Sequence, residues 1–102
     1  MALLHTVNKS PFERNGLESC LRHARDGSAI LFIEDGVYAL LRGAEHATMV
    51  EQAAPRCSMY ALEADIAARG IEPKRLIDGV KLVDYYGFVD LVVAHDGVQS
   101  WL

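Results

Sequence analysis

Apolar residues along this chain come as short continuous runs, separated by stretches in which they recur every three or four positions. The first run, Ala2 to Val7, is the kind of strand that a parallel sheet buries on both faces. Asn8-Lys9-Ser10-Pro11 then breaks the pattern as a loop. From about Asn15 to Arg25, Leu17, Cys20, Leu21 and Ala24 stand at i, i+3, i+4 and i+7, which predicts a helix halted by Asp26-Gly27. Ser28 to Ile33 reads as the second strand, after which Asp35 is placed to cap a short helix, Val37 to Arg42, closed by Gly43. His46 to Ala54 continues helically until Pro55, and Arg56 to Ala61 reads as the third strand. Glu63 to Arg69 forms a helix with a stop at Gly70, and Val80 to Val83 is a short fourth strand. Asp84 caps a last helix reaching about His95, with Phe88, Leu91 and Val92 on one stripe. Asp96-Gly97 turns the chain into a fifth, edge strand, Val98 to Leu102.

Strands alternating with helices imply βαβ units and an α/β fold: one small, doubly wound, mainly parallel sheet of about five strands with helices on both faces. At 102 residues, with no repeat and no linker-like stretch, the expectation is a single domain over 1–102. Sites in such sheets gather beyond the carboxyl ends of the strands. Here those ends are Asn8-Lys9-Ser10, Glu34-Asp35-Gly36, Leu62-Glu63 and Asp84-Tyr85.

Composition narrows the class of partner. Half of the residues (51%) are hydrophobic, which excludes a disordered chain and suggests that partners cover part of so small a surface. The net charge is −4 and the ten Lys and Arg are scattered, so neither direct nucleic-acid binding nor attachment to an anionic membrane is expected. No run approaches the length of a membrane span, and the opening residues do not read as a signal peptide, so a cytoplasmic location with reduced thiols is expected.

Several activities of this architecture lack their residues. There is no GxGxxG after the first strand, no GxxxxGK[ST], no GxSxG, and Asn8-Lys9 stands where a phospho-receiver needs an acidic pair. His5, His23, His46 and His95 have no ligand spacing, so no metal and no cofactor are expected. His5 reads as a hydrogen-bonded core or interface histidine, and His95 as a partner of the last helix's carboxyl end. The two cysteines remain. Cys57 lies mid-strand, where a free thiol acts as a small buried hydrophobe. Cys20 sits on the apolar stripe of the first helix, yet Glu18, Ser19, Arg22 and His23 surround it, so packing and reactivity both stay open. If it is reactive, His23 and Arg22 are the nearest groups able to favour its thiolate, and it is then the more accessible of the two thiols. Tyr85, Tyr86, Phe88 and Trp101 are many aromatics for a short segment, as at an interface core, although packing of a terminal helix on its own sheet accounts for them equally.

Four segments together resemble the DsrH/TusB family: LLHTVNKSPF, ILFIEDGVYAL, MYALEADIAARGI and VDYYGFVDLVVAHDGVQSW, which span most of the chain. The resemblance implies a DsrE-like α/β domain that joins DsrE-type and DsrF-type homologous subunits in a dimer of heterotrimers. Such a complex carries sulfur as a cysteine persulfide and passes it to a DsrC- or TusE-type acceptor. TusB-type members serve 2-thiouridine formation in tRNA and, as the resemblance implies, lack a cysteine in the first helix. DsrH-type members of sulfur oxidisers have one, and Cys20 falls there, so the expectation is a DsrH-type subunit working in oxidation of stored sulfur. Cys20 is the candidate persulfide carrier, secondary to the main carrier on the DsrE-type partner. A purely structural subunit is the remaining alternative.

Overall fold

The computed structural model describes residues 3–11 and 16–101. Five strands, β1 (Leu3–Val7), β2 (Ala29–Phe32), β3 (Ser58–Leu62), β4 (Val80–Val83) and β5 (Gly97–Trp101), form one sheet in the order β4-β3-β2-β1-β5. Every pairing is parallel, as the βαβ pattern requires. Four α-helices connect them: α1 (Gly16–His23), α2 (Ala47–Ala53), α3 (Glu63–Ala68) and α4 (Tyr85–Ala94). From β1 to β4 the chain steps steadily toward one edge, then crosses back to lay β5 beside β1. With crossovers of one hand, that reversal moves the last helix to the opposite face.

The two faces have separate cores because strand side chains alternate. Val7, Ile30, Phe32, Met59 and Ala61 point to the face covered by α1, α2 and α3 and meet Leu17, Cys20, Val50 and Ile66 there. Leu4, Ala29 and Leu31 point to the other face, where Phe88 and Leu91 of α4 lie over them with Tyr60 and Val83. Three helices and a 3-10 segment thus seal one face, and a single helix covers the other.

Local outcomes differ from expectation at four places. The stretch after β2 is a 3-10 segment, Glu34–Leu40, instead of a helix over Val37 to Arg42, and Asp35 does not cap it. Asp35 accepts from the Arg69 guanidinium at 3.0 and 3.1 Å, and Arg69 also pairs with Asp65. A tertiary ion pair therefore claims the carboxylate that a local cap would use. The third strand starts at Ser58, so Cys57 precedes it and is not mid-strand. α1 ends at His23, two residues early, and Arg56 donates to the Leu21 and Ala24 carbonyls at that end. Val92 is largely outside the packed stripe of α4. The Asp84 cap is present, its Oδ1 accepting from the Gly87 N–H at 2.8 Å. Ala2, Asn15 and Leu102, placed at element ends by the sequence pattern, lie outside the described residues.

Candidate functional site

The two thiols lie on the same face of the sheet, packed in one core, and not at the strand ends where α/β sites gather. Cys20 faces inward from the second turn of α1 and is 0% exposed; Cys57, just before the amino end of β3, is 4% exposed. Burial pushes the Cys20 thiol up to about 12, the neighbouring Cys57 adds to the rise, and Arg56 only partly offsets it. Cys57 is also raised, first by burial, with Arg56 opposing and Asp26 reinforcing. Its Sγ lies 3.6 Å from the Arg25 carbonyl oxygen and borders a polar cleft of about 260 Å³ with Arg56, Ser58 and Lys81. The expectation that Cys20 is the accessible thiol is therefore not met. Both are buried, and Cys20 is the more deeply placed.

The supporting groups do not converge on Cys20. Arg22 points outward and pairs with Glu18 at 2.9 Å, a link between exposed side chains of one helix. His23 donates from Nδ1 to the Ser19 carbonyl at 2.7 Å and lays its ring 5.5 Å from Trp101. The cation that does act on the thiol is Arg56, whose Nη1 and Nη2 donate to the Ala24 and Leu21 carbonyls at 2.6 and 2.7 Å. Those carbonyls are the open end of α1, so Arg56 serves first as a cap brought from 35 residues away. Nothing in the local spacing around Cys20 announces it.

A second constellation joins β1, β5 and α1. Trp101 Nε1 donates to His5 Nδ1 at 3.0 Å, and the two rings stack at 6.2 Å with His23 against the indole. His5 is buried, and burial followed by the His23 charge lowers its pKa. His5 is thus a hydrogen-bonded core histidine. The Trp101 aromatic belongs to this internal cluster and packs against the larger core. On the same edge of the sheet, Thr6 Oγ1 donates to Ser100 Oγ at 3.2 Å.

The rim beyond the carboxyl ends of the strands is built without a thiol. Glu34 has φ +49°, a left-handed conformation unusual for a residue with a side chain, and its N–H donates to Asp65 Oδ2 at 2.8 Å. Gly36 follows against the Val7 carbonyl, where a Cβ would collide with the oxygen. The β1 and β2 ends are locked together here, and the rim carries carboxylates and amides but no nucleophile for sulfur. Among the described residues no group of His, Cys, Asp and Glu is placed to hold a metal ion, and no helix is long and apolar enough to cross a membrane.

Comparison with known proteins gives a consistent result. The family model described as "DsrH like protein" matches residues 9–98. "Protein TusB" of Pectobacterium parmentieri is 33% identical over 99 residues, covering 97% of this chain and all of that one. "Protein TusB" of Yersinia enterocolitica is 34% identical over the same span. Among solved structures, the crystal structure of the ychN protein from E. coli superposes with a TM-score of 0.84 over 98% of each chain at 20% identity, a likeness of fold. The relatives carry the TusB name, so they favour the branch that the cysteine in α1 argued against. The match across the whole length, the shared five-stranded fold and the four segments agree: this chain belongs to the DsrH/TusB family of sulfur-relay subunits.

Proposed function

We propose that this chain is a non-catalytic, TusB-type subunit of a cytoplasmic sulfur relay that supplies the sulfur of 2-thiouridine in tRNA. In this reading it works beside DsrE/TusD-type and DsrF/TusC-type subunits, and the complex hands sulfur to a TusE- or DsrC-type acceptor. The observation that carries the non-catalytic part is the burial of Cys20. Persulfide exchange needs a thiolate that the donor sulfur can approach in line, and a thiol with a pKa near 12 and no exposure offers neither. The carrier thiol then resides on a related subunit, and this chain contributes surface. TusB relatives at about one-third identity over the whole length support the tRNA branch. One observation favours the sulfur-oxidation branch, the presence of a cysteine in α1, and for that reading Cys20 is the persulfide carrier and α1 must lift to expose it.

Complementation separates these readings. A strain lacking this gene is expected to lose 2-thiouridine from its tRNA, and the wild-type gene and a Cys20→Ala gene to restore it equally. Alanine is the appropriate replacement because a serine hydroxyl would be buried without a partner. If Cys20→Ala assembles normally but restores no thiolation, Cys20 carries sulfur. If thiolation survives the deletion while oxidation of stored sulfur fails, the chain serves the oxidative branch.

A further inference from the structure

Strand β5 lies at one edge of the sheet, pairs with β1 alone, and leaves Val98, Gln99 and Ser100 exposed. Trp101 is its anchor. The indole packs against the larger core, and its Nε1–H donates to His5 Nδ1 at 3.0 Å. On the strand pair's other side, Thr6 Oγ1 donates to Ser100 Oγ at 3.2 Å. His5 is 3% exposed. An indole N–H only donates, so Nδ1 accepts and the imidazole proton is carried by Nε2. That Nε2 is buried and has no hydrogen-bond partner among the described residues. A buried donor left in this way costs stability, so the packing of α1 and β5 around His5 is held against a penalty.

We propose that His5 and Trp101 form a proton-operated latch: a second proton on His5 releases Trp101 and detaches β5 from β1 while the other four strands stay paired. The second proton goes to Nδ1, the one ring nitrogen with a lone pair in the plane of the ring. It turns the acceptor of the Trp101 bond into a donor that faces the indole N–H. Both N–H groups of the imidazolium are then buried without an acceptor. Water supplies the missing acceptors once an element moves aside, and β5 moves at the least loss. It has one neighbouring strand and three exposed residues, whereas lifting α1 uncovers Leu17, Cys20 and Leu21. The groups around His5 set the direction. β2 faces it with Ile30 and β5 with Gln99 and Trp101, none of them charged. α1 brings His23, 5.5 Å from the indole, whose charge opposes a second charge on His5. Glu18 and Arg22 of α1 pair with each other at the surface, and Cys20 stays a neutral thiol. A free imidazole takes up its proton near about pH 6.5. Burial first, and His23 second, hold His5 below that value while β5 is docked, so the latch is shut above it and gives way as pH falls below it.

The test is amide hydrogen exchange of the intact chain, read by mass spectrometry from about pH 7.5 down to about pH 4.5 and corrected for the intrinsic pH dependence of exchange. Residues 97–101 are expected to lose protection by about tenfold or more across that range, while β2 and β3 keep theirs. Trp101 is the one tryptophan of the chain, so its emission reports the same event. It is expected to shift to the red and to become open to acrylamide quenching over the same pH interval. His5→Asn offers the indole an acceptor that does not titrate and is expected to keep β5 protected throughout. Should circular dichroism show that it does not fold, His5→Gln takes its place with the same expectation. His23→Gln removes the opposing charge and is expected to move the opening to higher pH. If β5 of the unaltered chain stays protected to the lowest pH, or if β5 of His5→Asn opens at the same pH, the latch is wrong. If every strand loses protection together, the proton unfolds the whole domain and the proposal falls.

Discussion

The bond from Trp101 to His5 determines where the imidazole proton sits. An indole N–H only donates, so His5 Nδ1 must accept and the ring carries its single proton on Nε2. A proton added at Nδ1 would face that indole N–H. Burial and the nearby His23 also disfavour the charged ring, while Ile30 and Gln99, its neighbours across the ladder, carry no charge. The folded state thus prefers neutral His5, with a pKa below that of the unfolded chain. The stability this contributes is complete above the unfolded-state value of about 6.5 and is lost as pH falls below it. The urea midpoint is expected to drop between about pH 7 and pH 5. His5→Asn keeps an acceptor that does not titrate and is expected to flatten that part of the profile. An equal drop in the variant would assign the effect to other groups.

At the scale of elements, the junction of α1 with the start of β3 depends on Arg56 more than on either cysteine. Its guanidinium satisfies two carbonyls at the end of α1, while the Gly27 N–H donates to its own carbonyl at 2.8 Å. Arg56→Met keeps most of the apolar stem and removes both charge-assisted bonds. A loss of about 2 kcal/mol in urea unfolding is expected, because hydrogen bonds to charged groups contribute more than neutral ones. A loss below about 0.5 kcal/mol would mean that water caps α1 as well as Arg56 does. The same element-level view explains α4. Its Asp84 cap and inward stripe make it a helix of this domain, while Tyr86, Val89 and Val93 on its outer side stay exposed.

For the molecule as a whole, Cys20 is a probe of the larger core, where it packs with Val7, Phe32, Val50 and Met59 on one side of the sheet. Access to it requires α1 to leave the sheet, and that exposes the core beneath that helix. With a pKa near 12, the thiol also holds on the order of a thousandfold less thiolate at pH 8 than an ordinary cysteine. Iodoacetamide is therefore expected to label Cys20 at least about a hundredfold more slowly in the native protein than in the unfolded one. Urea should accelerate the labelling with the slope of global unfolding. Rapid labelling without urea, independent of denaturant, would reveal a local opening of α1 and would revive the carrier reading.

Periodicity alone determined the element order, the parallel sheet and most boundaries to within two residues, because side-chain alternation and the 3.6-residue stripe are local properties of Leu4, Ile30, Leu17 or Phe88. The Asp84 cap was legible for the same reason, since donor and acceptor are three residues apart. What was not legible depended on partners distant in the chain. Asp35 looked like a cap until Arg69 claimed it, and the spacing around Cys20 left packing and reactivity both open. Only the packing of α1 onto β1 and β2, beside Cys57 and Arg56, decided that the thiol is sealed and protonated, because desolvation is set by atoms that close in from other elements.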